Sequence, residues 1–300
     1  MLKKRDIPNI EWLGEAHKTL ERAQKDKYDE YYTQYEDIVS ELKYYKEVLK
    51  NKVVFCPCDG PESNFIKYFK TEYKDILNAL IYWDKFNKKA YYYDFLTETE
   101  AEHIIDTDSF LDEKLDHLFK MCDAVVTNPP FSVEPILIKH ILKFDKKFLL
   151  IGHITLVGQN FYIDLAKKGE IGLGANDTNK NSFTFYIDEE HFKNRYSAVE
   201  LVKDSKIKVP CKWYTNFEIP ERYTTTTTTT TTLKMTDEGY WQVSKLIDIP
   251  YNWDKPLLVP ITFMHKYEKE GLNKKWKIIN TISPHIGNKK LFKRILIEPI

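Results

Sequence analysis

Residues Cys122–Pro135 read CDAVVTNPPFSVEP. The apolar run Ala124–Val126 has the texture of a strand buried on both faces, as in a parallel sheet. It runs straight into Asn128, Pro129, Pro130 and Phe131. A residue that precedes proline is driven toward extended backbone, and Asn128 and Pro129 both stand in that position. Proline fixes its own φ and carries no N–H. The exit from this strand is therefore stiff, extended, rich in carbonyl acceptors and poor in donors.

The flanking sequence sets that strand in a series. Val53–Cys56 is a second continuous apolar run, followed by the turn CDGPES and a helix opened by Glu62 or Ser63. NALIYWD reads as a strand ending at Asp84, and AYYYDF as a third strand or half of a hairpin. EHIIDTDSF reads as a short strand ending at Asp106–Phe110. DEKLDHLFKM and VEPILIKHILKF have helical periodicity, and KKFLLIGHI is another buried strand. Strands that alternate with helices over short connections predict an α/β fold: a Rossmann-like parallel sheet with helices on both faces. Such sheets bind ligands at the carboxyl ends of their strands. Those ends carry Cys58, Asp59 and Gly60, then Asp84, Asp108 and Asn128.

Outside this core, the segment Gly14–Asn51 reads as helix in one or two pieces, with Ile38, Leu42, Tyr45 and Leu49 on one face. After Gly169 the pattern turns β-rich: SFTFYI, CKWYTNF, PLLVPITFM, KWKIINTI and KLFKRILI. The expected organisation is an N-terminal helical segment over 1–50, a core over 51–168, and a smaller β-rich region over 169–300 that completes the sheet. Thr224–Thr232 is an unbroken threonine run, read as a low-complexity loop. GEIGLGA lacks the glycine order of a phosphate-binding loop.

Composition narrows the class. Formal net charge is zero, which argues against a non-specific nucleic-acid binder while leaving room for a local basic groove. CPC at Cys56 and Cys58 has the wrong spacing for a zinc knuckle, and with only four cysteines no second pair completes it, so no metal site is expected. No apolar run is long enough to span a membrane, and no signal core opens the chain, so a cytoplasmic location is expected.

The chemistry lies in Asn128-Pro129-Pro130-Phe131. The Asn128 side chain and the Pro129 carbonyl offer two acceptors on a rigid frame, which suits an –NH2 group with two hydrogens to donate. Phe131 offers a flat apolar face for a planar ring. An aromatic amine is a weak nucleophile because its lone pair is delocalised into the ring. Acceptors for both hydrogens favour a pyramidal nitrogen, and they strengthen as positive charge develops there.

TNPPF matches the (D/N/S)-P-P-(Y/F/W) motif of amino-methyltransferases. Together with YYTQYEDIVSELKYYK, VVFCPCDGPESNFIKYF, KKFLLIGHI, CKWYTNF, PLLVPITFMHKY and KLFKRILI, it makes the chain resemble the EcoRI-type adenine-specific DNA methyltransferases from about Tyr28 onward. That resemblance implies S-adenosylmethionine as cofactor and N6-methyladenine in double-stranded DNA as product, formed after the base is flipped out of the helix. It implies catalytic roles for Asn128, Pro129, Pro130 and Phe131. On the cofactor side it implies Tyr32 and Thr33 at the methionine end and the Cys58-Asp59-Gly60-Pro61 turn with Ser63 as the cofactor loop. It also implies Asp84 at the ribose and Asp108 with Phe110 around the adenine. Lys289, Lys290, Lys293 and Arg294 become candidates for phosphate contact. A separate cognate restriction endonuclease, in a bacterial or phage-like setting, is the implied partner. The sequence departs from the family pattern at Gly60, where a second acid is usual, and at His153, where Asn is usual. Two other readings stay open: an amino-methyltransferase acting on RNA or on a protein glutamine, and a non-catalytic relative that binds DNA or cofactor.

Overall fold

The computed structural model describes residues 32–168, 170–175, 183–186, 206–218, 233–246, 249, 253–267 and 275–300. The threonine run and the residues before Tyr32 lie outside these, as does the whole segment between Tyr186 and Lys206.

In chain order the first half contains β1 (Tyr32–Thr33), α1 (Tyr35–Leu42), β2 (Val53–Cys56), α2 (Asn64–Glu72), β3 (Ala79–Asp84), β4 (Lys89–Asp94) and β5 (Thr99–Ile104). Then come α3 (Asp116–Met121), β6 (Ala124–Thr127), α4 (Glu134–Lys143), β7 (Lys147–His153) and α5 (Asn160–Lys167). The later elements are β8 (Gly172–Leu173), β9 (Phe183–Tyr186), β10 (Lys206–Val209), β11 (Cys211–Thr215), β12 (Lys234–Met235), β13 (Trp241–Gln242) and β14 (Leu257–Pro260). The chain ends with α6 (Phe263–Tyr267), β15 (Trp276–Ile282), β16 (His285–Ile286), β17 (Lys289–Lys290) and β18 (Arg294–Pro299).

The central sheet has eight strands in the order β5-β4-β3-β2-β6-β7-β11-β8. Its middle four, β3-β2-β6-β7, are parallel. Strand alternation fills a core on each face. Val54, Cys56, Leu80, Tyr82, Val126, Leu149 and Ile151 join Ile38, Leu42, Phe65 and Phe69 from α1 and α2. The intervening Phe55, Ile81, Trp83, Val125, Phe148 and Leu150 join Leu118, Phe119, Leu137, Ile138 and Ile141 from α3 and α4. Each such fully buried aliphatic or aromatic side chain contributes about 1.5–3 kcal/mol relative to exposure. The second core continues into a five-stranded sheet, β12-β13-β14-β18-β15, through Leu257, Val259, Ile278, Ile295 and Ile297.

Two expectations are corrected. The helix expected from Gly14 begins, among the described residues, only at Tyr35, because Tyr32 and Thr33 are in antiparallel register with Tyr186 and Phe185 of β9. The strand expected to end at Asp106–Phe110 ends at Ile104, and it belongs to an antiparallel meander β3-β4-β5 rather than to a crossover. Two reversals leave β5 pointing the same way as β3, with Ile104 opposite Lys89 and Lys89 opposite Asp84, so the loop after β5 still leaves at the carboxyl edge. The helix α5 carries no expectation from the sequence; NFYIDLAK is eight residues long and buries Tyr162, Ile163 and Ala166.

Gly174 explains one glycine of GEIGLGA by packing. A Cβ there would overlap both Trp213 Cβ and Glu41 Oε1. Glu41 is fully buried, accepting hydrogen bonds from Tyr45 Oη at 2.7 Å and from the Ala175 N–H. Replacing Gly174 with Ala should force this clasp apart and cost about 1–3 kcal/mol, read as a lowered urea midpoint with an unchanged m-value.

Candidate active site

The chain leaves β2 toward β3, β4 and β5 on one side, then crosses back to β6 and β7 on the other. The gap between the ends of β2 and β6 is therefore the topological switch point, where open α/β sheets form a ligand crevice. Asp59 follows β2 there, and Thr127 and Asn128 end β6.

Asp59 joins the two exits. Its carboxylate accepts hydrogen bonds from Ser63 Oγ at 2.8 Å, from the Thr127 hydroxyl, and from the Asn128 N–H at 3.3 Å. Thr127 Oγ1 in turn accepts from the Cys58 N–H at 3.1 Å. Burial pushes the Asp59 carboxyl up to about 6, with the Thr127, Ser63 and Asn128 hydrogen bonds pulling the other way. Ser63 caps α2 by accepting from the Phe65 N–H at 3.1 Å, so the turn, the helix start and the NPPF exit share one hydrogen-bonded centre.

The acceptor-rich exit is held at its far side as well. Pro129 is buried, and the Pro130 carbonyl accepts from the Val133 N–H at 3.0 Å as the chain turns into α4. The half-buried Phe131 ring lies 5.9 Å from the His153 ring and 6.1 Å from the Phe185 ring, centroid to centroid. His153 is fixed through its backbone, whose N–H donates to the buried Glu134 at 2.9 Å. Its ring caps the 3-10 turn Ile154–Gly158, with Nδ1 2.8 Å from Thr155 Oγ1, and burial lowers the imidazole pKa. The residue that departs from the family pattern is thus a wall beside Phe131.

On the β1 side, Thr33 is brought up by Asn64, whose Nδ2 donates to the Thr33 carbonyl at 2.8 Å. The Thr33 hydroxyl is buried and has no hydrogen-bond partner among the described residues. Tyr32 precedes it in the same strand. Cys58 and Pro61 are half-buried in the turn, and the Gly60 carbonyl accepts from the Ser63 N–H at 2.9 Å. A Cβ at Gly60 would stand 3.7 Å from Asp84 Cγ, so an acid here would set a second carboxylate beside Asp84. Gly60 leaves that space open.

The remaining expected residues are less gathered. Asp84 is buried but capped by its own hairpin: Oδ1 accepts from the Phe86 N–H at 2.9 Å and Oδ2 from Asn87 Nδ2 at 2.7 Å. Asp108 is exposed and pairs with Lys88 at 3.5 Å, beside the closer Lys88–Asp106 pair at 2.7 Å. Phe110 packs against the core. Lys293 and Arg294 are engaged with the protein: Lys293 Nζ donates to the Gly158 carbonyl at 2.5 Å and Arg294 Nη1 to the Val243 carbonyl at 3.2 Å. Lys289 and Lys290 are exposed. Among the described residues no group of His, Cys, Asp or Glu is arranged to hold a metal, and no helix is long and apolar enough to cross a membrane.

Thr127, the bridge between the two exits, carries no expectation from sequence. A threonine ending an apolar strand satisfies β-propensity by itself, so its hydroxyl gives no separate signal.

A parallel sheet with a carboxylate-pinned NPPF exit at its switch point defines a Rossmann-like methyltransferase. Comparison with known families makes the assignment specific: the family model described as "Adenine-specific methyltransferase EcoRI" matches residues 19–293, and the chain belongs to that family. It is 31% identical to the type II methyltransferase M.EcoRI of Escherichia coli, over 93% of this chain and 98% of that protein. It is 30% identical to the type II methyltransferase M.MpnI of Mycoplasma pneumoniae, over 81% of each. A third relative, the type II methyltransferase M.MgeORF184P of Mycoplasma genitalium, is 28% identical over 82% of each chain. No solved structure matches the chain.

Two outcomes are expected. Thr127→Val removes the bridging hydroxyl and leaves the Cys58 N–H and Asp59 short of a partner, which should cost about 1–3 kcal/mol in urea unfolding. The Asp59 pKa is raised on folding, so its ionised form is the disfavoured one. Stability should therefore fall as pH rises from about 4 to about 6 and level off above, and Asp59→Asn should remove that slope from the melting temperature.

Proposed function

We propose that this methyltransferase acts at specific sites in duplex DNA, moving a methyl group from S-adenosylmethionine to N6 of an adenine flipped out of the helix. The observation that carries the proposal is the NPPF exit itself, anchored through Asp59 to the loop after β2 at the switch point. Family membership and the DNA methyltransferase chemistry of that family support it.

The residues present fit the cofactor. The buried Thr33 hydroxyl offers an uncommitted donor and acceptor beside the start of α2, and Gly60 leaves room over Asp84. Thr33, Asp59, Gly60, Ser63 and Asp84 would line its place, with Asp108 and Phe110 at the outer end. Bound S-adenosylmethionine would supply an electrophilic methyl group on a sulfonium.

The chain's own residues prepare the nucleophile. The Asn128 side-chain oxygen and the Pro129 carbonyl accept the two amino hydrogens, drawing the nitrogen lone pair out of conjugation. Phe131, backed by His153 and Phe185, stacks on the base and holds it in line. Both acceptors strengthen their hold as positive charge grows on nitrogen, so their effect falls on the transition state. No strong base is required before attack, and the proton leaves afterwards to solvent. A restriction endonuclease cutting the same sequence is the natural counterpart of such an enzyme.

The test is nucleoside mass spectrometry of DNA from cells producing the chain. N6-methyladenine should appear with the intact protein. Asn128→Ala should lower the transfer rate by about a hundredfold or more, while S-adenosylmethionine binding measured by calorimetry stays within a few fold. Absence of methyladenine from cells with folded, cofactor-binding protein would sink the DNA reading.

A further inference from the structure

The residue most at odds with its surroundings is Phe292, which is 94% exposed. Single exposed apolar side chains are ordinary on protein surfaces, so exposure alone means little. Here the chain is fastened on both sides, by a backbone bond before the ring and by a side chain after it. The Leu291 N–H donates to the Pro284 carbonyl at 2.7 Å, and Lys293 Nζ donates to the Gly158 carbonyl at 2.5 Å. The two-stranded hairpin β16-β17 just before it turns through Gly287 at φ +57° and is braced at its first strand and at its turn. Glu238 accepts from the His285 N–H at 3.0 Å, and Asp237 Oδ1 accepts from the Gly287 N–H at 3.2 Å. Phe292 is thus held outward by a fixed frame.

The frame is tied to the segment that leaves the carboxyl end of β7. Gly158 ends the 3-10 turn that leaves β7 directly after His153, and His153 packs against Phe131. Lys293 crosses Gly158 so closely that a Cβ there would lie 2.5 Å from Lys293 Cδ. Lys289 and Lys290 are exposed on the same hairpin, three and two residues before Phe292. An apolar ring on a rigid stem, flanked by cations free to meet phosphates, has the chemistry of a wedge between base pairs.

We propose that Phe292 enters the base stack of duplex DNA and holds the gap from which the target base has been extruded, with Lys289 and Lys290 on the neighbouring phosphates. This rests on the reading of duplex DNA as substrate. Phe292 does not act on the methyl transfer itself. It offsets the cost of unstacking the base step that it enters.

Mapping N6-methyladenine in cellular DNA gives the modified sequence, from which two duplexes are made: one with the target adenine paired to thymine, one with it opposite an abasic position. Phe292→Ala should lower single-turnover methylation of the paired duplex at least tenfold. On the abasic duplex, where the base is already loose, it should match the intact chain within about threefold. Phe292→Leu should keep most of the activity on both. Equal rates for Phe292→Ala and the intact chain on the paired duplex would overturn the wedge, as would an equal loss on both duplexes, which marks a general defect. If the intact chain methylates neither duplex, it is the DNA reading that fails, and the wedge with it.

Discussion

A single buried carboxylate organises this site. Asp59 belongs to the loop after the first core strand, yet its hydrogen bonds reach the end of the strand next door and the first turn of the following helix. An acid out of water is costly unless donors surround it, and here the donors are the very groups that must be aligned. The Asn128 N–H and the Thr127 hydroxyl are drawn to one end of it and Ser63 to the other. The loop after β2 and the NPPF exit are thereby locked in register with each other. Such preorganisation is what lets fixed dipoles act on a transition state without moving.

Much of the fold was readable because it follows from periodicity. Apolar runs at Val53–Cys56, Ala79–Asp84, Ala124–Thr127 and Lys147–His153 became the parallel centre of the sheet, and NPPF fell at its ligand edge. What was not readable depended on partners far away in sequence. Tyr32 and Thr33 sit in a stretch of helical composition, and their strand exists only because β9 pairs with them. Helix propensity is weak enough for such pairing to override it.

The site shows the same division. Asp59, Gly60 and Asn128 were expected at strand exits and Ser63 at the start of a helix, and the structure places them so, joined through Asp59. Asp84 stands beside Gly60, but its oxygens are already engaged by the hairpin it begins. Asp108 looks outward to Lys88, while Lys293 and Arg294 turn to carbonyls of their own chain. A charge in a sequence says nothing about whether a neighbour has already claimed it. Thr127 is the converse case, a side chain ordinary in its strand whose hydroxyl links two halves of a crevice.

The pairing of β1 with β9 bears on the order in which the molecule is assembled. Gln34, at the end of β1, donates to the carbonyl of Thr184, which lies 150 residues further along the chain. Strand contacts over such separations form late, because the intervening loop must be closed before they return anything. The shelf that carries Thr33 is synthesised well before the strand that fixes it, and it is among the last parts to find its place. A nascent chain reaching only to β7 could lay down the parallel strands with Asp59 and Asn128 at their ends. It would still lack the strand that carries Thr33 beside α2, so that side of the crevice is completed by the later strands rather than by the sheet.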